Sequence, residues 1–253
     1  MSYTSSGIHF VDEGSGKPIV LIHGAFGSLE DWAPISLILK DNFRVIALDL
    51  RGHGKSPPIG GKCSLDIMAL AVNDVINHLK LGKYVLVGTS LGAATALRCA
   101  IAGIKGLEKL ILIAPLIKGS SVAGYKVMKF LHRLGLVNFR RLIINATLKE
   151  LKEHNEDLTL KIKNKLEGIP EDFFFNVTEC IASVNLKDAL SFVKVPTLII
   201  IGDEDELTPL KHVIQAPRKQ PNIQLKVLEK AGHLLILERS DEVAQLIADF
   251  ASK

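Results

Sequence analysis

Cysteine is scarce in this 253-residue chain: Cys63, Cys99 and Cys180 are odd in number, far apart and never in a CxxC spacing. That excludes a disulfide framework and a zinc knuckle, and fits free thiols in a reducing compartment. Long apolar runs are missing as well. The longest, such as 110–117, fall far short of the roughly 18 residues needed to cross a bilayer. The first residues, Met1-Ser-Tyr-Thr-Ser-Ser-Gly7, carry neither the basic region nor the apolar stretch of a secretory signal. These absences predict a soluble, cytoplasmic protein. Charge of one sign is lacking too: 31 basic against 27 acidic residues leave only +4, well short of a nucleic-acid footprint. Neither G-x-x-x-x-G-K-[ST] nor a strand-linked G-x-G-x-x-G occurs, so no phosphate loop is present. Lys161, Lys163 and Lys165 form a small basic group without interleaved aromatics. Asp157 and Lys161, like Lys161 and Lys165, are four residues apart, the spacing of a solvated helix face.

What remains is ordinary globular material, 47% hydrophobic and 23% charged. It can bury a core, and it excludes disorder, collagen and coiled coil. At roughly 150 residues per domain the length allows one large domain or two small ones. Runs rich in β-branched residues lie at 8–11, 19–22, 44–48, 84–87 and 109–113. Their apolar character is nearly continuous, as in strands covered on both faces of a parallel sheet. A helical pattern over 66–79 puts Ile67, Leu70, Ala71, Val75 and Leu79 on one face, and an alanine-rich one follows over 91–102. Strand–helix alternation predicts an α/β layered fold.

Over 117–192 the rhythm changes. Amphipathic stretches at 125–134, 139–148, 158–166 and 173–183 follow one another without a strand, punctuated by Gly135 and a Gly168-Ile169-Pro170 turn. This segment holds 12 of the 31 basic and 9 of the 27 acidic residues, so most of the positive excess sits here. Strands return at 197–201 and 224–228, and a helix over 241–250 closes the chain. The organisation expected is one α/β core from 1–116 and 193–253, interrupted by a helical insertion at 117–192.

Chemistry concentrates at three places. Gly88-Thr89-Ser90-Leu91-Gly92 follows an apolar strand and opens a helix, the context of a G-x-S-x-G nucleophile elbow. Such a turn needs small residues around the serine and sets its hydroxyl at a helix N-terminus, where developing negative charge is favoured. A serine needs a base, and the base an orienting acid. Among the eight histidines, His78, His132 and His154 fall in polar helical stretches and read as solvated. His233 instead follows Ala231-Gly232 just beyond the 224–228 strand, where an α/β sheet presents reactive groups. After the 197–201 strand, Asp203, Glu204, Asp205 and Glu206 offer four consecutive carboxylates.

Taken together these segments resemble the α/β-hydrolase family over nearly the whole chain. His23-Gly24-Ala25-Phe26-Gly27-Ser28 resembles its His-Gly loop, and Asp49-Leu50-Arg51-Gly52-His53-Gly54-Lys55-Ser56 its D-x-R-G-x-G-x-S turn. The elbow, a G-x-x-D-x-x-x-P loop from Gly202 to Pro209 and the Ala231-Gly232-His233 loop follow in the family's order. The resemblance implies the α/β-hydrolase fold: a mostly parallel central sheet flanked by helices, with an inserted helical cap. It implies Ser90 as nucleophile, His233 as general base and acid, and Asp205 as orienter, because Asp205 sits three residues after Gly202 and four before Pro209. The backbone N–H groups of Ala25 and Leu91 become the oxyanion donors, while His23 and His53 hold loops. Some relatives take their acid from the strand after the elbow, but 112–117 contains no carboxylate.

The activity implied is carboxylesterase-like: cleavage of a small carboxylic ester through an acyl-enzyme, with no cofactor and no metal. The partner is then a small-molecule ester, with no nucleic acid and no membrane. Lactonase, thioesterase and perhydrolase chemistry use the same residues. Ala25 and Phe26 depart from the H-G-x-G-P-G loop of the family's C–C hydrolases, and a serine at the elbow argues against dehalogenases and epoxide hydrolases. The alternative from another class is a ligand-binding or signalling member with incidental hydrolysis, which the intact Ser–Asp–His order disfavours. In the insertion, Tyr125, Val127, Met128, Phe130, Leu131, Leu134, Leu136 and Phe139, with Phe173, Phe174 and Phe175, supply either cap core or an apolar pocket.

Overall fold

Each apolar run falls on a strand. The computed structural model describes residues 2–151 and 155–253. It opens with β1 (Ser2–Tyr3), β2 (His9–Glu13), β3 (Lys17–Ile22), α1 (Ala33–Leu39) and β4 (Phe43–Leu48). Alternation continues through α2 (Leu65–His78), β5 (Tyr84–Thr89), α3 (Leu91–Ile101) and β6 (Leu107–Ile113). Next come α4 (Val122–Arg133), α5 (Phe139–Lys149), α6 (Glu156–Glu167) and α7 (Glu171–Ser183). The chain ends with β7 (Thr197–Gly202), α8 (Ala216–Lys219), β8 (Ile223–Leu228), α9 (Leu235–Glu238) and α10 (Ser240–Ser252).

The strands form one sheet in the order β1-β2-β4-β3-β5-β6-β7-β8. Only β1/β2 and β2/β4 are antiparallel; the pairs from β4/β3 to β7/β8 are parallel. Continuous apolarity has a direct cause, since alternate residues of each inner strand enter different cores. Val20, Ile22, Leu86, Leu110 and Leu112 face α2, α3 and the helices α4–α7. Ile19, Leu21, Val85, Val87 and Ile111 face α1, α9 and α10. Register then aligns the carboxyl ends: Ile22 pairs with Leu48 and Gly88, Thr89 with Ile113, and Gly202 with Leu228. The loops after β3, β4, β5, β6, β7 and β8 therefore leave from one edge. The chain reverses its winding between β3 and β5, the place where such sheets open a crevice.

Two local expectations change. In α2 the buried face is Met68, Ala71, Val72, Val75 and Ile76, and Leu70 is 64% exposed. Two apolar stripes ran side by side here, and contact with α3 selects the one beginning at Met68. Helix α1 is not legible as periodicity: Ile35 and Leu39 are buried, but Leu37 and Ile38 face outward, and Pro34 lies in the first turn, where proline is tolerated. Residues 117–119 and 184–186 meet at the base of α4–α7. Lys118 and Asn185 form an isolated antiparallel bridge, flanked by Gly119 N–H to Val184 O and Leu186 N–H to Ile117 O, both 2.8 Å. All three cysteines are buried and free. No helix among the described residues is long and apolar enough to cross a membrane.

Candidate active site

Ser90 alone joins β5 to α3 and takes φ 54° and ψ −114°, a conformation that L-residues adopt only at a cost of roughly 1–3 kcal/mol. Its neighbours explain how the turn is tolerated. A Cβ on Gly88 would overlap the Gly92 carbonyl, and one on Gly92 would overlap the carbonyls of Ile22 and His23. Glycine at both positions lets α3 start directly against the end of β3. The Ser90 N–H donates to Ile113 O at 2.9 Å, and its carbonyl accepts from Ala94 and Leu116. The hydroxyl is thus aimed out of the sheet edge.

Two loops converge on that hydroxyl. His233, beyond β8, places Nε2 2.9 Å from Ser90 Oγ and Nδ1 2.9 Å from Asp205 Oδ2. The ionised carboxylate is acceptor-only, so Nδ1 carries the proton and the Nε2 lone pair faces Ser90. Asp205, buried beyond β7, also accepts the Thr208 N–H at 2.7 Å and the Thr208 hydroxyl at 2.7 Å. Burial pushes its carboxyl up, but the hydrogen bond and charge of His233 together with the two Thr208 donors outweigh this and hold it below the usual carboxylate range. Asp203 points elsewhere: it is exposed and accepts the Ala231 N–H at 3.3 Å, bracing the loop that carries His233. Glu206 pairs with Lys149 of α5 at 2.7 Å.

The loop after β3 forms the facing wall. A Cβ on Gly24 would lie 3.4 Å from Ser90 Cβ, which puts Ala25 beside the elbow. Leu91 is the first residue of α3, so its N–H has no intrahelical acceptor. Fully buried His23 donates from Nδ1 to Gly24 O at 2.7 Å and accepts the Leu50 N–H at Nε2 at 3.0 Å. Burial lowers its pKa, and burial together with His23 lowers that of neighbouring His53 to about 3. Both are neutral loop holders. Asp49 is a further hub: its carboxylate accepts from Leu29 N–H (2.8 Å), Lys55 N–H (2.9 Å) and His9 (2.7 Å). His78 is exposed at the end of α2. His132 is not solvated as expected but half-buried, joining Val137 O at 3.3 Å in the turn after α4. His154 lies outside the described residues.

Above Ser90 and His233 opens a cavity of about 780 Å³. Its sheet side presents Ala25, Phe26 and Leu234; its helical side presents Tyr125, Met128, Phe139, Ile143, Leu166 and Ile181. The apolar residues expected in the insertion therefore divide. Tyr125, Met128 and Phe139 line the cavity, Phe174 and Phe175 are core, and Val127, Phe130, Leu134 and Leu136 face outward. Phe173 borders a smaller cavity of about 380 Å³ beside Ile59 and Asn176. Lys165 also departs from a solvated role: its ammonium meets Asp31 at 2.8 Å and ties α6 to the loop after β3. Thr208 and Glu150 contact the Ser90–His233–Asp205 chain without standing out in sequence. Thr208 lies three residues after Asp205, a spacing at which a carboxylate caps a turn; Glu150 carries no local signal.

A family model described as alpha/beta hydrolase fold matches residues 17–240. The chain is 30% identical over 243 residues to the dihydrolipoyllysine-residue acetyltransferase component of the acetoin cleaving system of Pseudomonas putida, an alignment covering 94% of this chain but only 64% of that protein. It is 26% identical to 2-hydroxy-6-oxononadienedioate/2-hydroxy-6-oxononatrienedioate hydrolase 2 of Pseudomonas putida, covering 96% of this chain and 91% of that one. Among solved structures, a thermophilic esterase from Thermogutta terrifontis superposes with a TM-score of 0.84 at 28% identity, over 96% of this chain and 92% of that one.

Proposed function

The chain belongs to the α/β-hydrolase family, and from that premise we propose that it is a serine hydrolase cleaving a small carboxylic ester through an acyl-enzyme. One observation carries the reading: Ser90 Oγ, His233 and Asp205 form a continuous chain with both links at 2.9 Å, opening on an apolar cavity. His233 Nε2 takes the Ser90 proton as Oγ attacks the carbonyl carbon. The backbone N–H groups of Ala25 and Leu91 receive the oxyanion, preorganised where negative charge grows. Asp205 keeps the imidazole in the required tautomer and stabilises the imidazolium. The same proton then passes to the departing alkoxide, and a water deprotonated by His233 releases the acid.

The cavity volume, about 780 Å³, lies in the ordinary range for small-molecule sites. Its apolar walls favour alkyl or aryl groups. In this reading residues 117–192 act as a cap that shapes the pocket, no step calls on a cofactor or metal, and the partner is a small-molecule ester. Buried free thiols support work in the cytoplasm. Thioesters, lactones and C–C substrates would use the same atoms, and the similar Pseudomonas putida hydrolase keeps the C–C class in the comparison.

A panel of p-nitrophenyl esters of graded acyl length, assayed beside a thioester and a lactone, tests the proposal. Steady-state ester turnover is expected, with covalent labelling by a fluorophosphonate, and Ser90→Ala should remove both. Near-wild-type turnover by Ser90→Ala would end the serine-hydrolase reading. Tight ligand binding with negligible turnover would favour a binding protein on this fold.

A further inference from the structure

One buried carboxylate beside this site belongs to none of its motifs. Glu150 caps the carboxyl end of α5, in the inserted helices, and is only 1% exposed. Its Oε2 accepts the backbone N–H of His233 at 3.1 Å and that of Glu206 at 3.3 Å. One donor is the residue that supplies the imidazole; the other directly follows Asp205 in sequence. The preceding residue, Lys149, holds the Glu206 carboxylate at 2.7 Å. The end of α5 is thus clipped across both loops that face Ser90.

Burying a carboxylate is costly unless hydrogen bonds compensate it, and backbone N–H donors to a charged acceptor are among the stronger ones. The position of these bonds matters as much as their strength. His233 must present Nε2 to Ser90 and Nδ1 to Asp205 at once, both at 2.9 Å. Its ring direction follows from its backbone, which lies in a loop between β8 and α9 rather than in an element. Misplacement by about 1 Å can cost roughly a hundredfold in rate.

We infer that Glu150 is a positioning residue: a carboxylate supplied by the inserted helices that holds the Asp205 and His233 loops in register. The inference rests on the proposed roles of Ser90, His233 and Asp205. It adds that alignment of the base and its acid depends on the seating of α5, so the helices that shape the pocket also set the geometry of the chemistry.

Three variants test it. Glu150→Gln keeps an acceptor oxygen at the same reach; Glu150→Asp is one methylene too short to serve both donors; Glu150→Ala removes the acceptor. With a short p-nitrophenyl ester, Glu150→Ala and Glu150→Asp should lose roughly 10- to 100-fold in kcat with KM within about twofold, because Glu150 does not line the cavity. Glu150→Gln should stay within about fivefold of wild type. A wild-type kcat in Glu150→Asp, a loss confined to KM, or a Gln variant as impaired as the Asp variant would overturn the inference. If Glu150→Ala does not fold, the Asp and Gln pair carries the comparison. Proton NMR supplies a readout independent of turnover. The downfield His233 Nδ1–H signal should persist in Glu150→Gln and shift or broaden in Glu150→Asp, and an unchanged signal in Glu150→Asp overturns the inference. A wild-type protein that neither turns over esters nor labels at Ser90 would instead defeat the functional reading, while the NMR comparison still judges Glu150.

Discussion

The cavity has two walls built on different terms. On the sheet side, Ser90, Asp205 and His233 sit on one-residue or short turns at strand ends, and at the Ser90 turn backbones approach so closely that Gly88 and Gly92 leave no space for a Cβ. On the helical side, side chains hang from helices whose apolar residues point both ways. In α4, Tyr125 and Met128 line the cavity while Val127 and Phe130 are 56% and 60% exposed. Polar ties join the two walls, among them Lys165–Asp31, Lys62–Glu179 and the Glu150 clip. Strand ends bring Ser90, His233 and Asp205 within hydrogen-bond reach of one another. Helix faces set the size and shape of the pocket.

The sharpest way to break this contrast is within one turn of the sheet side. Asn at position 205 keeps the shape of Asp205 but not its charge, and its amide stabilises the wrong imidazole tautomer. A serine protease loses about ten thousand-fold in kcat from the equivalent change, and Asp205→Asn should fall by a comparable factor. Asp203→Asn, which only weakens a loop brace, should cost a few-fold at most. Reversed results, measured at one pH after circular dichroism confirms folding, would show that the wrong carboxylate orients His233.

Acid stability separates the walls next, because the buried neutral imidazoles His23 and His53 both lie on the sheet side. Above about pH 6.5 both are neutral in the folded and unfolded chain, so they impose no pH dependence. Below it the unfolded chain binds protons that the fold excludes, down to about pH 3 for His53. Stability should therefore fall with pH by roughly 1.4 kcal/mol per unit for each such group. The lowered Asp205 carboxyl acts in the same direction at more acidic pH: its contribution is present above the unfolded value and lost as pH falls through the folded one. Denaturant titrations at pH 7, 6 and 5 check the slope. His53→Asn should reduce it, and an unchanged slope would argue against a buried neutral His53.

Packing gives a smaller effect. Gly92→Ala must push α3 away from β3 and should cost about 3 kcal/mol, lowering Tm by roughly 6–12 °C. Phe130→Ala on the outer face of α4 should stay within about 0.5 kcal/mol. Smallest is substrate preference. Met128→Ala enlarges the helical wall and should shift kcat/KM toward longer acyl chains by roughly tenfold or less, leaving fluorophosphonate labelling of Ser90 nearly unchanged. Phe130→Ala should not change the preference. Equal losses on every ester by Met128→Ala would mean that the residue supports the fold rather than the pocket.

Much of the sheet wall was legible because local rules write it. A strand covered on both faces needs apolar residues at every position, so β3, β5, β6 and β7 stand out as β-branched runs. A strand that turns into a helix through one residue needs glycines around it, which marks Ser90 without reference to any partner. Legibility ends where a choice depends on distant chain. Four carboxylates follow β7, and residue chemistry alone ranks none of them; family spacing points to Asp205, and in the fold it is Asp205 that is buried against His233 and Thr208.

By itself, then, the sequence determined the order of the longer strands and helices other than α1, the elbow and the loops that flank it, because those signals lie within a few residues of one another. Tertiary structure decided which face of α4 lines the cavity, that Lys165 reaches Asp31 across 134 residues, and that Glu150 holds the backbone of His233 across 83. A helix with apolar residues on several sides has no inner face until another layer packs against it. An ion pair or a buried carboxylate leaves no periodic trace, because its partner is brought near by the winding of the sheet and not by spacing along the chain.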